Sequence, residues 1–151
     1  KFPPNFIHRL FKHDLPVVAC NYVKRAIPAM PNTKSLDGKL IATDRDSHGL
    51  VEAKSTGFGA VLMKTEVLKD IPKPWFDLVW MDKGEEEKPE MMGEDVFFFH
   101  KMLHFTDHRL FIDHDASQHV THIGTFEYSN ALADATWDEI EMEDTKEKMM
   151  A

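Results

Sequence analysis

Apolar residues recur along the chain at two spacings, and each spacing predicts one kind of element. Near the start, Pro3 and Pro4 suit the first turn of a helix, where a missing N–H group costs no hydrogen bond. The next apolar residues recur at helical spacing and predict one buried helical face, made of Phe6, Ile7, Leu10 and Phe11. The β-branched and apolar run from Val17 to Tyr22 predicts a buried strand. A helix followed by a strand indicates an α/β fold.

The middle of the chain alternates between loop signals and short apolar runs. Residues 26–49 carry prolines and glycines among polar residues and predict a long loop or a loose hairpin, with a candidate strand at residues 40–42. Strands are predicted at residues 50–54 and 60–63. Thr65 is expected to cap a helix that runs to Asp70.

The last third contains the clearest helix. Residues 72–92 fit neither period and predict a surface loop. Residues 94–105 predict a helix with one apolar face, made of Val96, Phe99, Met102 and Leu103. A strand is predicted at residues 110–113 and an acidic helix from Trp137 to Met149. We therefore divide the chain into a domain at residues 1–130 and an acidic C-terminal helix or tail at residues 131–151.

Composition narrows the class of protein. With 151 residues, of which 42% are hydrophobic and eleven are Phe, the chain can bury the core of a single domain. The formal net charge of −8 repels a polyphosphate backbone, so the sequence argues against a nucleic-acid polymer as partner. A single nucleotide could still bind through a metal ion.

The single cysteine and the hydropathy pattern bear on the setting of the protein. Cys20 stands alone in an apolar run, which excludes a disulfide framework and predicts a small core side chain. This favours a reducing, cytoplasmic setting. No apolar stretch approaches the roughly 20 residues that span a bilayer. Because Lys1 leads directly into a helical pattern, we expect the sequence to be a fragment.

Two acids at a predicted helix start are the first candidates for chemistry. Glu94 and Asp95 follow Gly93, which lets a ligand approach the backbone. A carboxylate there can accept a proton from a hydroxyl group, which typically contributes about 10²–10⁴ in rate. The alternative is structural, because first-turn acids stabilise a helix by roughly 0.3–1 kcal/mol each.

Histidines are common in the chain, so each needs a context. His122 follows a predicted strand and precedes Ile123-Gly124, which suits a metal ligand or a loop histidine bonded to backbone. A second candidate metal group combines His114, Asp115, His119 and His122. A zinc face at residues 100, 104 and 108 is disfavoured, because Lys101 stands where a metallopeptidase has its Glu. Asp44-Arg45-Asp46 is a spaced acidic pair that fits a metal–nucleotide only weakly.

Two further segments are candidates for ligand contact. Gly57 and Gly59 flank Phe58 and predict a bare backbone surface beside which a flat ligand can lie, although no complete phosphate loop is present. Trp75 and Phe76 follow a proline and could either stack on a sugar or close the edge of the core.

Taken in order, these segments resemble a known family. The series is residues 17–22, then Thr56-Gly57-Phe58-Gly59 with the strand after it, Lys73-Pro74-Trp75-Phe76, Gly93-Glu94-Asp95 with the apolar residues after it, and His122-Ile123-Gly124. The order and the gaps resemble the second half of GT-A fold glycosyltransferases, family 2-like. The resemblance covers roughly residues 1–126. It implies an α/β fold with a mixed sheet and flanking helices, forming the acceptor-side part of a GT-A domain.

The resemblance also implies an activity. It implies a sugar transferred from a nucleotide-sugar donor to a glycan or other hydroxyl acceptor, with Mn²⁺ or Mg²⁺ on the donor diphosphate. In that scheme Asp95 is the base, Glu94 orients the acceptor or a neighbouring loop, and His122 binds the metal. Gly57 and Gly59 lie where donor and acceptor meet, and Trp75 and Phe76 border the acceptor. The Glu-Asp pattern leans towards inversion of the anomeric configuration.

The family's Asp-x-Asp motif and nucleotide-binding half would precede the segment that resembles Lys1-Phe2-Pro3-Pro4, so this fragment alone is expected to be inactive. Two other classes stay open. One is a carbohydrate- or partner-binding module without a metal, and the other is a His-rich iron or zinc enzyme. Homo-oligomerisation is left open as well.

Overall fold

The computed structural model describes residues 1–82, 84, 89–125 and 127–135. Short helices alternate with short strands along them. The helices are α1 (Phe6–Phe11), α2 (Thr65–Asp70), α3 (Glu94–Phe105) and α4 (His114–Ser117). The strands are β1 (Val17–Ala19), β2 (Leu50–Ala53), β3 (Val61–Met63), β4 (Val79–Met81), β5 (Glu90–Met92), β6 (Leu110–Asp113), β7 (Thr121–Ile123) and β8 (Glu127–Ser129).

Four of the strands form a mixed sheet in the order β2-β6-β1-β3. β1 runs parallel to β6, whereas β3 is antiparallel to β1 and β2 is antiparallel to β6. The register pairs Ala19 with Val61 on one side and with Ile112 on the other. The α/β class with a mixed sheet is therefore confirmed.

Helices cover both faces of this sheet because alternate strand residues point to opposite sides. Val17 and Ala19 face α2 and α3, where the core includes Val67, Phe98, Phe99 and Met102. Val18 and Cys20 face α1 and α4, where they pack with Phe6, Leu10 and Ala116. The flanking helices are thus confirmed, and Cys20 is a buried core side chain as predicted.

Two small hairpins lie outside the main sheet. β4 pairs with β5, and β7 pairs with β8, both antiparallel. The first hairpin corrects the prediction of a surface loop at residues 72–92. Its side chains include an exposed indole at Trp80 and a buried Met92, so one face of β5 meets the protein while Trp80 faces solvent.

Several predicted details differ in the structure. In α1, Ile7 is 65% exposed and Phe11 is 74% exposed, because the sheet covers only the side of the helix that carries Phe6 and Leu10. Thr65 does not cap α2, since Lys64 holds the N-cap position and makes no side-chain cap bond. The candidate strand at residues 40–42 is only an isolated bridge between Lys34 and Leu40.

The buried face of α3 is confirmed in part. Phe99 and Met102 are buried as predicted, whereas Phe98 is buried in addition and Val96 and Leu103 are only half-buried. Residues 130–135 are helical, and the predicted helix from Trp137 to Met149 lies outside the described residues. Within the described part of the chain, no helix is long and apolar enough to cross a membrane.

Candidate functional site

Three segments of the resemblance, those that contain Tyr22, Gly57-Gly59 and His122, meet at one edge of the main sheet. Tyr22 follows the carboxyl end of β1, and Gly57 and Gly59 precede the start of β3, which pairs with that end. His122 follows the parallel strand β6 through the short helix α4. Ligands of α/β proteins commonly bind at the carboxyl ends of parallel strands. This edge is therefore the candidate site.

The two glycines make room for a protein side chain. A Cβ atom at Gly57 would lie 2.2 Å from the Tyr22 hydroxyl oxygen, and one at Gly59 would lie 2.7 Å from Tyr22 Cζ. The Gly59 N–H also donates a hydrogen bond of 3.0 Å to the Tyr22 hydroxyl. The side of both glycines that a Cβ would occupy is thus filled by Tyr22. The structure offers this packing as a reason for the glycines besides the predicted approach of a ligand.

The His122 ring is held from two directions. Its Nδ1 lies 3.2 Å from the backbone oxygen of Val23, and its ring meets the Tyr22 ring edge-on with centroids 5.5 Å apart. A carbonyl oxygen can only accept, so Nδ1 carries the hydrogen and Nε2 of the neutral ring keeps its lone pair. No described residue bonds to Nε2. Metal-binding histidines commonly donate their other ring N–H to a carbonyl in this way.

A cavity of about 280 Å³ adjoins this ring. Its walls include Tyr22, Gly59 and His122, together with Lys1, Phe2, Val120, Thr121 and Ile123. Lys1 lies beside Thr121, and its α-amino group donates to the Thr121 carbonyl at 2.7 Å. The Thr121 hydroxyl oxygen is buried without a hydrogen-bond partner. The cavity walls are thus mostly apolar and carry one uncommitted imidazole nitrogen.

An aromatic cluster joins this cavity to α3. Phe58, between the two glycines, stacks on Phe99 at 5.2 Å and meets Phe98 edge-on at 5.2 Å. Phe76 stacks on Phe98 at 5.3 Å and is 47% exposed. The cluster therefore fixes the glycine segment against the first turns of α3.

The predicted acids lie on that first turn. Asp95 is half-buried, three residues before Phe98, and its Oδ1 accepts from the Val96 N–H at 2.7 Å. Glu94 is exposed. Neither is among the described residues that line the cavity beside His122. The structure thus does not bring Asp95 and His122 together in the cavity that His122 lines.

Trp75 and Phe76 were predicted either to stack on a sugar or to close the edge of the core, and the structure separates them. Trp75 packs on the core, and its indole N–H donates to the Ile71 carbonyl at 3.0 Å. This fits a side chain that closes the core edge. Phe76 presents much of its ring to solvent beside Phe58. Phe76 is therefore the more available of the two for a ligand.

The fit of a divalent cation is incomplete. Across the described ranges, no three His, Cys, Asp or Glu side chains lie close enough together to hold a metal ion. His114 Nδ1 bonds to the Thr43 hydroxyl at 2.9 Å, and Asp115 bonds to His48 at 2.9 Å, so each has another partner. His108 bonds to Asp70 at 2.8 Å. His122 can thus supply one ligand, but these residues alone do not complete a site.

Asp44 is held within its own loop. Its carboxylate accepts from the Ser47 hydroxyl at 2.7 Å and from the Asp46 N–H at 2.9 Å. These hydrogen bonds favour the charged form and lower the pKa of Asp44, with the Ser47 hydroxyl as the largest cause. The Asp44-Arg45-Asp46 pair is accounted for by this turn.

Sequence reasoning missed a buried polar network near the same sheet edge. Asn21 bonds through its side chain to Thr33 at 2.9 Å and to Thr43 at 3.2 Å, and its N–H donates to Ser117. Asp113 is buried, caps α4 through the Ala116 N–H at 2.8 Å and bonds to His13 at 2.8 Å. Polar residues at the carboxyl ends of the predicted strands, Asn21 near the end of β1 and Asp113 at the end of β6, were the available signal.

Comparison with known proteins adds no identification. The chain matches no family model, and the curated proteins and the solved structures likewise gave no match. The function is therefore argued from the site.

Proposed function

We propose that this chain is the acceptor-side part of a GT-A type glycosyltransferase, family 2-like, with Asp95 as the base. What carries the proposal is the state of His122. Its Nδ1 is committed to the Val23 carbonyl, and its Nε2 is free beside a cavity that Tyr22 and Gly59 also line. Three segments of the resemblance, distant in the sequence, thus contribute to one cavity.

The base would act from the first turn of α3. A carboxylate there can take a proton from an acceptor hydroxyl as it attacks the sugar. The Phe58–Phe98 contact of 5.2 Å holds this turn against the glycine segment. Phe76, which stacks on Phe98, offers an exposed ring for a pyranose face.

A divalent cation would be held at His122 Nε2 and would offset charge on the departing diphosphate. The described residues supply only this one ligand. The family's Asp-x-Asp pair would precede the segment that resembles Lys1-Phe2, and Lys1 lies beside Thr121, next to His122.

The test is sugar transfer by the protein that the whole gene encodes, measured with a panel of nucleotide-sugars and Mn²⁺. We expect Asp95→Asn to lower turnover by about 10²–10⁴. Glu66→Gln is the matched control, because Glu66 also lies in the first turn of a helix. A purely structural role for Asp95 would make the two variants alike. Unchanged turnover in Asp95→Asn would remove it from its role, and no transfer from any donor would end the proposal.

A second candidate is a glycan-binding module without a metal. The observation that favours it is the exposed ring of Phe76, together with the incomplete ligand set around His122. Calorimetry with glycans separates the two proposals. Binding that is indifferent to Mn²⁺ and to His122→Ala but lost in Phe76→Ala would favour the module.

A further inference from the structure

Tyr22 contacts both parts of the candidate site, although the resemblance gives it no role. Its hydroxyl accepts the Gly59 N–H, and its ring meets the His122 ring at 89°. The glycine segment and the histidine are more than sixty residues apart in sequence. Tyr22 is the side chain that touches each of them.

We propose that Tyr22 is a positioning residue that fixes the direction of His122 Nε2 relative to the glycine segment. Its consequence for catalysis rests on the proposed function, whereas the positioning itself does not. An imidazole swings about the bond that joins it to Cβ. Two contacts restrain that swing here, the Nδ1 bond to Val23 and the Tyr22 ring.

Both restraints come from two adjacent residues. Tyr22 and Val23 lie three and four residues after β1, and the chain from Val17 to Asn21 that leads to them is buried. Val23 is itself fully buried in a small cluster with Ala29 and Tyr128. The sheet therefore sets the orientation of His122 through two neighbouring residues.

The hydroxyl and the ring of Tyr22 have separable tasks. The hydroxyl anchors Gly59, and the ring supports His122. Tyr22→Phe removes only the first contact. Tyr22→Met removes both while keeping a side chain of similar length, since Met adapts to irregular space.

The positioning is tested by NMR on this chain, without substrate. In Tyr22→Phe we expect Gly59 amide exchange to accelerate about fivefold, as for the loss of one net hydrogen bond, with the His122 ring signals unchanged. In Tyr22→Met we expect the His122 ring signals to shift as well. Unchanged ring signals of His13 and His108, which bond to Asp113 and Asp70, would show that the fold is kept. Wild-type His122 signals in Tyr22→Met, or unchanged Gly59 exchange in Tyr22→Phe, would overturn the proposal.

The catalytic consequence is measured in the whole encoded protein. A small misplacement of a catalytic group can cost about 10²-fold in rate. We therefore expect kcat to fall by roughly that factor in Tyr22→Met, and we expect Tyr22→Phe to keep most of the wild-type kcat. If the NMR changes occur in a protein that transfers no sugar, the proposed function fails and the positioning role stands. If transfer is observed but Tyr22→Met is fully active, the positioning role in catalysis fails alone.

Discussion

The contact between Gly57 and Tyr22 makes a single added methyl group a sharp test of the site. Gly57 has φ −75° and ψ 154°, a conformation that alanine adopts without strain. The cost of Gly57→Ala therefore comes from space alone. The new Cβ would lie 2.2 Å from the Tyr22 hydroxyl oxygen and 2.7 Å from Asn32 Nδ2, so at least one side chain must move.

The magnitude follows from what that movement breaks. Overpacking a filled site typically costs about 1–3 kcal/mol. Displacing the Tyr22 hydroxyl also loses its hydrogen bond to the Gly59 N–H, a net contribution of about 1 kcal/mol. Replacing glycine by alanine also stabilises the folded state by about 0.4–1 kcal/mol, because it lowers the conformational entropy of the unfolded chain. We expect Gly57→Ala to lower the free energy of unfolding by about 2 kcal/mol.

Urea unfolding followed by circular dichroism measures this loss, and a second substitution checks its cause. Tyr22→Phe removes the atom at 2.2 Å and leaves Cζ at 3.1 Å, so it should relieve part of the Gly57→Ala defect. Gly59→Ala is the control, because its clashes with Cζ at 2.7 Å and Cε1 at 2.9 Å persist in the Phe variant. Wild-type stability in Gly57→Ala, or equal relief at both glycines, would refute this account of the glycines.

Two further predictions concern buried titratable groups. Burial lowers the pKa of His114 below 6.5 against the opposing charges of Asp44, Asp113 and Asp115, so the unfolded chain binds the proton more readily. Stability should therefore fall as pH drops below 6.5, and urea midpoints of His114→Gln should decline less between about pH 6.5 and 5; an identical decline would contradict this. Burial also raises the pKa of the Cys20 thiol to about 12, so iodoacetamide should label the chain in urea but not when folded, as mass spectrometry would show; rapid labelling of folded protein would contradict it.

Local signals predicted the parts of the fold that depend on local interactions. The bounds of α3 match the prediction because a glycine, two acids and a long apolar period coincide there. Its buried face was predicted only in part, because the exact orientation of a helix depends on what it packs against. Phe99 and Met102 are buried as predicted, but Phe98 is also buried, where it meets Phe58. For the same reason the predicted buried face of α1 included Ile7 and Phe11, which are exposed in the structure.

The hairpins and the site depend on contacts that no local pattern contains. β4, β5, β7 and β8 have three residues each, too few to establish an alternation of polar and apolar positions. His122 takes its orientation from Tyr22 and Val23, about one hundred residues earlier. The ordered motifs indicated which segments matter, while the role of Tyr22 required the fold.

The position of β3 at the margin of the main sheet has a consequence for how the sheet can grow. Cys20 donates to the Ala60 carbonyl and Lys64 donates to the Pro16 carbonyl, so the antiparallel pattern turns the peptide groups of Val61 and Met63 away from β1. Another extended backbone could hydrogen-bond to those groups. A further strand could thus pair with β3 and extend the sheet without disturbing the packing around Tyr22.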